Sequence, residues 1–175
     1  AQDDGTLRGT GDLGVVIERA TGSVLVVDQS DRAALCRVEG LGDLSHASLT
    51  FSPDERFAYV FGRDGGLSKV DILACSLESR VIQAGNSIGG AISDDGRLVA
   101  VSNYEPGGVN VFDAETLAPV AEIPMGSKTV GLADVPGSRF IVATWDDGEA
   151  WLLDHSADSA NPQVTRIPDV GANPY

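Results

Sequence analysis

The chain has 175 residues, 42% of them hydrophobic, with 21 glycines, a composition that supports a buried core and a globular rather than a disordered chain. Twenty-six Asp and Glu against twelve Lys and Arg leave a net charge of −14, whose field repels nucleic acid and anionic membrane surfaces. No apolar run reaches the roughly 18 residues of a spanning helix, so no membrane span is expected.

The chain opens with Ala1-Gln2, as chains do after signal peptidase has cut behind a small residue, a hint of export. Residues 1 to 11 make a poor strand. GVVIE, SVLVVD and AALCRVE then read as three strands, an incomplete first unit over 12–43. The second unit, 44–85, predicts strands near 45–52, 56–61, 67–72 and 77–84. The third, 86–127, and the fourth, 128–170, repeat it, and 171–175 resembles the start of another.

Two markers keep this beat. Strands end in Asp at Asp28, Asp71, Asp113 and Asp154, spaced by 43, 42 and 41 residues, and Arg56, Arg97 and Arg139 follow at 41 and 42. A period of about 42 residues with four short strands and no sustained helical periodicity is the pattern of a β-propeller blade. The expected fold is therefore all-β, a propeller with about four blades present. Four blades are few for a closed ring, so the expectation is half of a larger one, completed by more chain or by a second copy, a homodimer.

Strand alternation sorts the connections. The first-to-second-strand turns SPDER, SDDGR and VPGSR open on one face and need only turn chemistry. The fourth-to-first connections EGLGDLSH, QAGNSIGG and PMGSKTVG open on the other face, with the second-to-third connections ERATG, FGRDGG, SNYEPGG and TWDDG. Their glycines admit another backbone or a flat ligand, and their chemically capable side chains are His46, Arg63, Asn86, Tyr104, Lys128 and Trp145. The repeat aligns His46, Ser87 and Thr129 in one slot beside the central channel, where only the histidine can bind a metal. A hydrogen-bonded wall residue is the bland reading of that histidine. Arg63 and Asp64 read either as a structural pair or as free groups, Lys128 and Arg19 as solvated, and His155 as a loop residue on the opposite face.

Other chemistries lack their residues. The glycine-rich stretches precede strands, so no helix N-terminus is available for a phosphate. There is no GxSxG elbow, no HExxH, and no CxxC or CxxCH around Cys36 or Cys75. Those two cysteines read as free thiols, with a disulfide between neighbouring strands as the alternative. The acidic residues of the glycine-rich face, Asp43, Glu105, Asp146, Asp147 and Glu149, lie mostly at loop tips, a weak basis for glycoside chemistry.

The stretches LSHAS, YVFGRDGG and SNYEPGG, in this order and spacing, resemble the NirF family required to make haem d1 and, more distantly, the d1-haem propeller of dissimilatory nitrite reductase. The likeness runs from about Leu7 to Tyr175 and implies an eight-bladed propeller of which this chain is the N-terminal half. It implies a periplasmic location and a ligand that is haem d1 or a dihydro-haem d1-like precursor. It also implies partners among the other haem d1 maturation proteins and nitrite reductase. His46 with the FGRD of Phe61 to Asp64 matches the reductase's proximal iron ligand and the turn that follows it. Arg63, Arg19 and Lys128 are then cations for the macrocycle's carboxylates, with Asn86, Ser87 and Tyr104 as neutral partners and Asp43 or Asp64 behind the histidine. GNSIGG replaces the reductase's arginine before the third-unit strand, and no haem c motif is present, so maturation rather than nitrite reduction is implied. Whether a step is catalysed or the ligand is only carried stays open, and a haem-free protein-interaction module is the alternative function.

Overall fold

The computed structural model describes residues 10–175. The expectations for residues 1 to 9 lie outside the described residues. After a short 3-10 turn, Thr10–Asp12, come β1 (Leu13–Glu18), β2 (Ser23–Asp28) and β3 (Ala33–Val38), a three-stranded antiparallel sheet. The second sheet holds β4 (Ser48–Phe51), β5 (Phe57–Phe61), β6 (Gly66–Asp71) and β7 (Ser76–Ile82). The third holds β8 (Asn86–Ile92), β9 (Leu98–Glu105), β10 (Gly108–Asp113) and β11 (Pro119–Ile123), and the fourth β12 (Thr129–Val135), β13 (Arg139–Thr144), β14 (Glu149–Asp154) and β15 (Gln163–Ile167).

Each sheet is an up-and-down meander in sequence order, and the sheets pack in chain order. The first strands of successive sheets lie side by side, β4 against β8 and β8 against β12. Ser48 Oγ donates to the Ile88 carbonyl at 3.1 Å, and Ser102 Oγ to Val130 at 3.1 Å. The architecture is all-β and propeller-like.

The cores sit at the seams between sheets, and this explains why the central strands read as unbroken apolar runs. In β5, Ala58 and Val60 face the first sheet with Val24, Val26 and Leu44, while Tyr59 and Phe61 face the third with Val99 and Val101. In β9, Val99 and Val101 face the second sheet, and Leu98 and Ala100 face the fourth with Phe140 and Trp151. A strand buried on both faces has no polar side to show, so the period-2 signal disappears. The outermost strand β15 is exposed at every position, and the free face of the fourth sheet carries a groove of about 420 Å³ lined by Leu132, Ile141, Ala143 and Tyr175.

The Asp beat is turn chemistry. The carboxylate that ends each of β2, β6, β10 and β14 accepts N–H groups of the following turn: Asp31 on Asp28, Leu73 and Ala74 on Asp71, Glu115 and Thr116 on Asp113, and Ser156 on Asp154. The arginine beat slips by one. The carbonyls of Arg56, Arg97 and Ser138 accept equivalent N–H groups, from Ile72, Ala114 and His155, so Arg139 stands one residue on, opposite Asp154. Arg56 grips Asp71 at 2.7 Å, whereas Arg139 bonds the Pro136 carbonyl.

The cysteines are not free thiols. Cys36 in β3 and Cys75, just before β7, form a disulfide across the seam of the first two sheets, with Cα atoms 6.3 Å apart. Cys36 and the turn that carries Cys75 belong to neighbouring sheets rather than one, so no within-sheet pairing announced it.

Candidate functional site

One rim gathers every candidate, because the pairing registers put the ends of β1, β5, β9 and β13 and the starts of β4, β8 and β12 at the same end of the sheets. Backbone hydrogen bonds stitch it together: Leu41 N–H to Gly22, Arg63 to Asp43, Gln83 to Gly65, Trp145 to Lys128 and Val170 to Gly148. The turn holding Arg19 is thereby bound to the connection holding His46, and that connection to Arg63.

Rim glycines recur at Gly22, Gly65, Gly107 and Gly148, each with positive φ and each turned against the carbonyl of a following connection, at Gly42, Ala84, Ser127 and Gly171. At Gly65 a Cβ would run into the Ala84 carbonyl, and even at Gly148, the loosest, it would sit 2.7 Å from the Gly171 oxygen. Of the two uses the sequence allowed for glycines on this face, these four serve another backbone.

His46 lies in a turn two residues ahead of β4, its side chain exposed and its ring without a hydrogen bond to any described residue. Ser87 and Thr129, aligned with it in the repeat, are fully buried inside the ladder, opposite Asn103 and Thr144. The shared slot is therefore divided: β8 and β12 begin with an irregular register that draws their residues in, and β4 pairs regularly from Ser48, leaving His46 outside.

Arg63 and Arg19 are exposed. Arg63 is not the partner of Asp64, whose carboxylate is taken by Arg80 at 2.5 Å and by the Gly66 N–H at 3.0 Å. Asp64 is thus spent on the loop and is not available to orient His46. Asp43 accepts the Ser45 N–H at 2.9 Å, and the Ser45 bonds, helped by the Arg63 charge, hold its carboxyl below the usual range. Lys128 is half-buried rather than simply solvated. It stands 3.4 Å from an Asp146 oxygen and 5.3 Å from the Tyr104 ring centroid, and the Asp146 contact raises its pKa.

Asn86 is half-buried at the start of β8, and Ser87 belongs to an amide cluster that the sequence did not single out. Gln83 Nε2 donates to Ser87 Oγ at 2.7 Å and to Asn103 Oδ1 at 2.8 Å, while Gln83 Oε1 accepts from Asn103 at 3.1 Å and Asn110 at 2.7 Å. Arg80, Gln83, Asn103 and Asn110 are the rim residues missed. Gln83 adjoins AGNS and Asn103 precedes Tyr104, both in connections already marked, but their role is visible only once β7 and β10 meet.

The rim thus presents one unshared imidazole and two uncommitted guanidinium groups over a base of hydrogen-bonded amides and backbone. Among the described residues no group of three or more His, Cys, Asp or Glu could hold a bare metal ion. An imidazole and cations on one rim suit a metal that arrives inside an anionic organic ligand.

Residues 8–175 match the model of the cytochrome D1 heme domain. The chain belongs to the cytochrome D1 heme domain family. Within that family it is 60% identical over 177 residues to the protein NirF of Pseudomonas aeruginosa, and 59% identical to NirF of Stutzerimonas stutzeri. The alignments cover 97% of this chain and 45% of each relative, so the chain spans about half the length of these curated relatives. It is 32% identical over 151 residues to the dihydro-heme d1 dehydrogenase of P. aeruginosa, across 82% of this chain and 30% of that one. Among solved structures, dihydro-heme d1 dehydrogenase NirN in complex with DHE superposes with a TM-score of 0.81 at 29% identity, covering 90% of this chain and 36% of that one. Hydrazine synthase of Kuenenia stuttgartiensis, at 19% identity and a TM-score of 0.72 over 90% of this chain and 51% of that one, shares the fold.

Proposed function

We propose that this chain contributes the rim on which a haem d1 precursor is held during haem d1 biosynthesis. The observation that carries the reading is the family match over residues 8–175, and the relative that superposes at a TM-score of 0.81 is itself described in complex with DHE. The residues fit such a group. His46 offers an exposed ring nitrogen as axial ligand to iron, and Arg63 and Arg19 offer cations that a protein of charge −14 must place locally to hold a carboxylated macrocycle. Asn86 and Tyr104, half-buried on the same rim, are neutral partners, and Lys128, 3.4 Å from an Asp146 oxygen, is a further cation of that rim. Ser87, buried under Gln83, shapes the site from beneath.

When bound, the tetrapyrrole supplies the iron and the redox chemistry; the chain's own residues bind and orient it. A carrier role and a role in altering a side chain both use this rim. The disulfide supports an oxidising compartment, the periplasm, and nitrite reductase and other haem d1 maturation proteins are the proposed recipients. The open apolar face of the fourth sheet and the exposed β15 support a larger ring, eight-bladed as in the resemblance, closed by further sheets or by a second copy in a homodimer.

A visible-spectrum titration with d1-type haem tests the reading, comparing the unchanged protein with His46→Ala. Because His46 is exposed, the substitution should change stability by less than about 0.5 kcal/mol. A ligated-iron spectrum that the variant loses or alters supports the assignment. Equal binding by both proteins leaves His46 a rim residue without a ligand role, and no binding by either removes the tetrapyrrole reading in favour of a protein-interaction module.

A further inference from the structure

His155 is out of keeping with its place in the fold. In the second, third and fourth sheets the position after the strand-ending Asp sends its N–H to an equivalent carbonyl across the sheet, at 3.0, 2.9 and 3.0 Å from Ile72, Ala114 and His155, while in the first sheet the exposed Gln29 does so to Asp12 at 2.9 Å. The first two are buried apolar residues. The third is a histidine only 3% exposed, placed edge-on to Phe140 with ring centroids 5.8 Å apart. Its Nδ1 lies 2.8 Å from the Ser159 carbonyl, an acceptor, so Nδ1 carries the proton and donates it, and Nε2 is a buried lone pair with no partner.

The connection it closes is also the exception. Residues 155–162 join β14 to β15, where 72–75 and 114–118 suffice in the second and third sheets. The longer connection is ordered: Asp158 accepts from the Ala160 N–H at 2.9 Å and from Asn161 at 3.2 and 3.0 Å, and the Ser159 carbonyl holds His155. Against it lies a cavity of about 230 Å³ lined by Asp95, Arg97, Ser138, Ser156 and Ser159.

We propose that His155 is a pH-sensitive latch: the neutral imidazole pins residues 155–162 over this cavity, and its protonation in mildly acidic solution releases them. An imidazolium in this site would bring a second N–H to Nε2, where Phe140 offers no acceptor and no described polar atom is in reach. The charged groups around it are Asp154 on its own strand, Asp158 in the connection, Asp95 and Arg97 from the third sheet's turn, and Arg139 on β13. Burial disfavours the charged ring and outweighs the Ser159 carbonyl and the Asp154 carboxylate, which favour it, so the ring stays neutral; Arg97 and Arg139 carry the sign opposed to an imidazolium. Swinging out gives the imidazolium water and uncovers the Arg97 cavity.

Amide hydrogen exchange, corrected for intrinsic rates, tests this at pH 7.5 and 5.5. The open form takes up its proton near the ordinary histidine value of about 6.5, so the opening equilibrium of 155–162 should rise about tenfold at the lower pH. Amides of β9 and β10 should not change. His155→Ile, copying the residue at the same place in the second sheet, should abolish the rise, and His155→Gln, polar but not titrating, gives the same reading should the first variant not fold. No rise in the unchanged protein, or an equal rise in a variant, overturns the latch.

Discussion

Gly65 and Gly126 separate two reasons for a glycine. Both have positive φ, +81° and +67°, but a Cβ at Gly65 would strike the Ala84 carbonyl, whereas nothing lies within 4 Å of one at Gly126. Gly126→Ala should therefore cost only the left-handed backbone, about 1 kcal/mol, while Gly65→Ala should cost clearly more, because the rim backbone must also move. Chemical denaturation of the two variants measures the difference, and equal losses would mean that the close approach at Gly65 has no energetic weight. The same scale divides the candidate ligands. His46, Arg63 and Arg19 are exposed and can be replaced without harm to folding, whereas Ser87 and Asn103 are buried in an amide cluster whose loss strands their partners.

At the scale of the element, β2, β6, β10 and β14 each end in a carboxylate that caps the next turn. The pKa values of Asp71, Asp113 and Asp154 are lowered. The Thr116 hydroxyl is the leading cause at Asp113 and the Ser156 hydroxyl at Asp154, while at Asp71 burial opposes but is outweighed by the Ala74 N–H and Arg56. A depressed folded-state pKa means that the unfolded chain binds more protons. The contribution is complete above the unfolded value of about 4 and is lost as pH falls through the lower folded values. The melting temperature should accordingly drop steeply below pH 4, separately from any change in milder acid due to His155. Asp113→Ala, which removes three hydrogen bonds, should cost about 1 to 2 kcal/mol at pH 7 and flatten the acid limb. An acid limb unchanged in that variant would place the pH dependence elsewhere.

At the scale of the molecule, seams rather than sheets hold the structure together. Sheets two and three each bury both faces, and Tyr59 and Lys69 reach from the second sheet to the Ala114 and Glu115 carbonyls of the third at 2.6 and 2.8 Å. The first sheet has three strands and is fastened to the second by Cys36–Cys75, which encloses a sequence separation of 39 residues. A loop of that length predicts a loss of about 3 to 4 kcal/mol on reduction, and a melting temperature lower by about 10 °C. Melting with and without reductant, and of the Cys36→Ser, Cys75→Ser double variant, checks it. A shift below about 2 °C would mean that the apolar seam suffices.

The 42-residue beat, the strand alternation and the Asp turns were legible in the sequence because they repeat locally, and a local repeat fixes which connections share a rim. The family motifs were legible for the same reason: LSHAS, FGRD and SNYEPGG are contiguous. Hidden from it were pairs that only the folded sheets bring together, with separations that include 16, 27 and 39 residues: Asp64 with Arg80 instead of Arg63, Gln83 with Asn110, and Cys36 with Cys75, besides Gly65 against Ala84. The separation of His46 from buried Ser87 and Thr129 was equally hidden, since a one-residue irregularity in strand pairing leaves no mark on composition. Side-chain period and turn chemistry are properties of neighbours along the chain and determined the all-β repeat and which connections share the candidate rim. Contact across a seam depends on how two sheets meet, and only the tertiary structure decided which rim groups are spent on the fold and which stand free for a ligand.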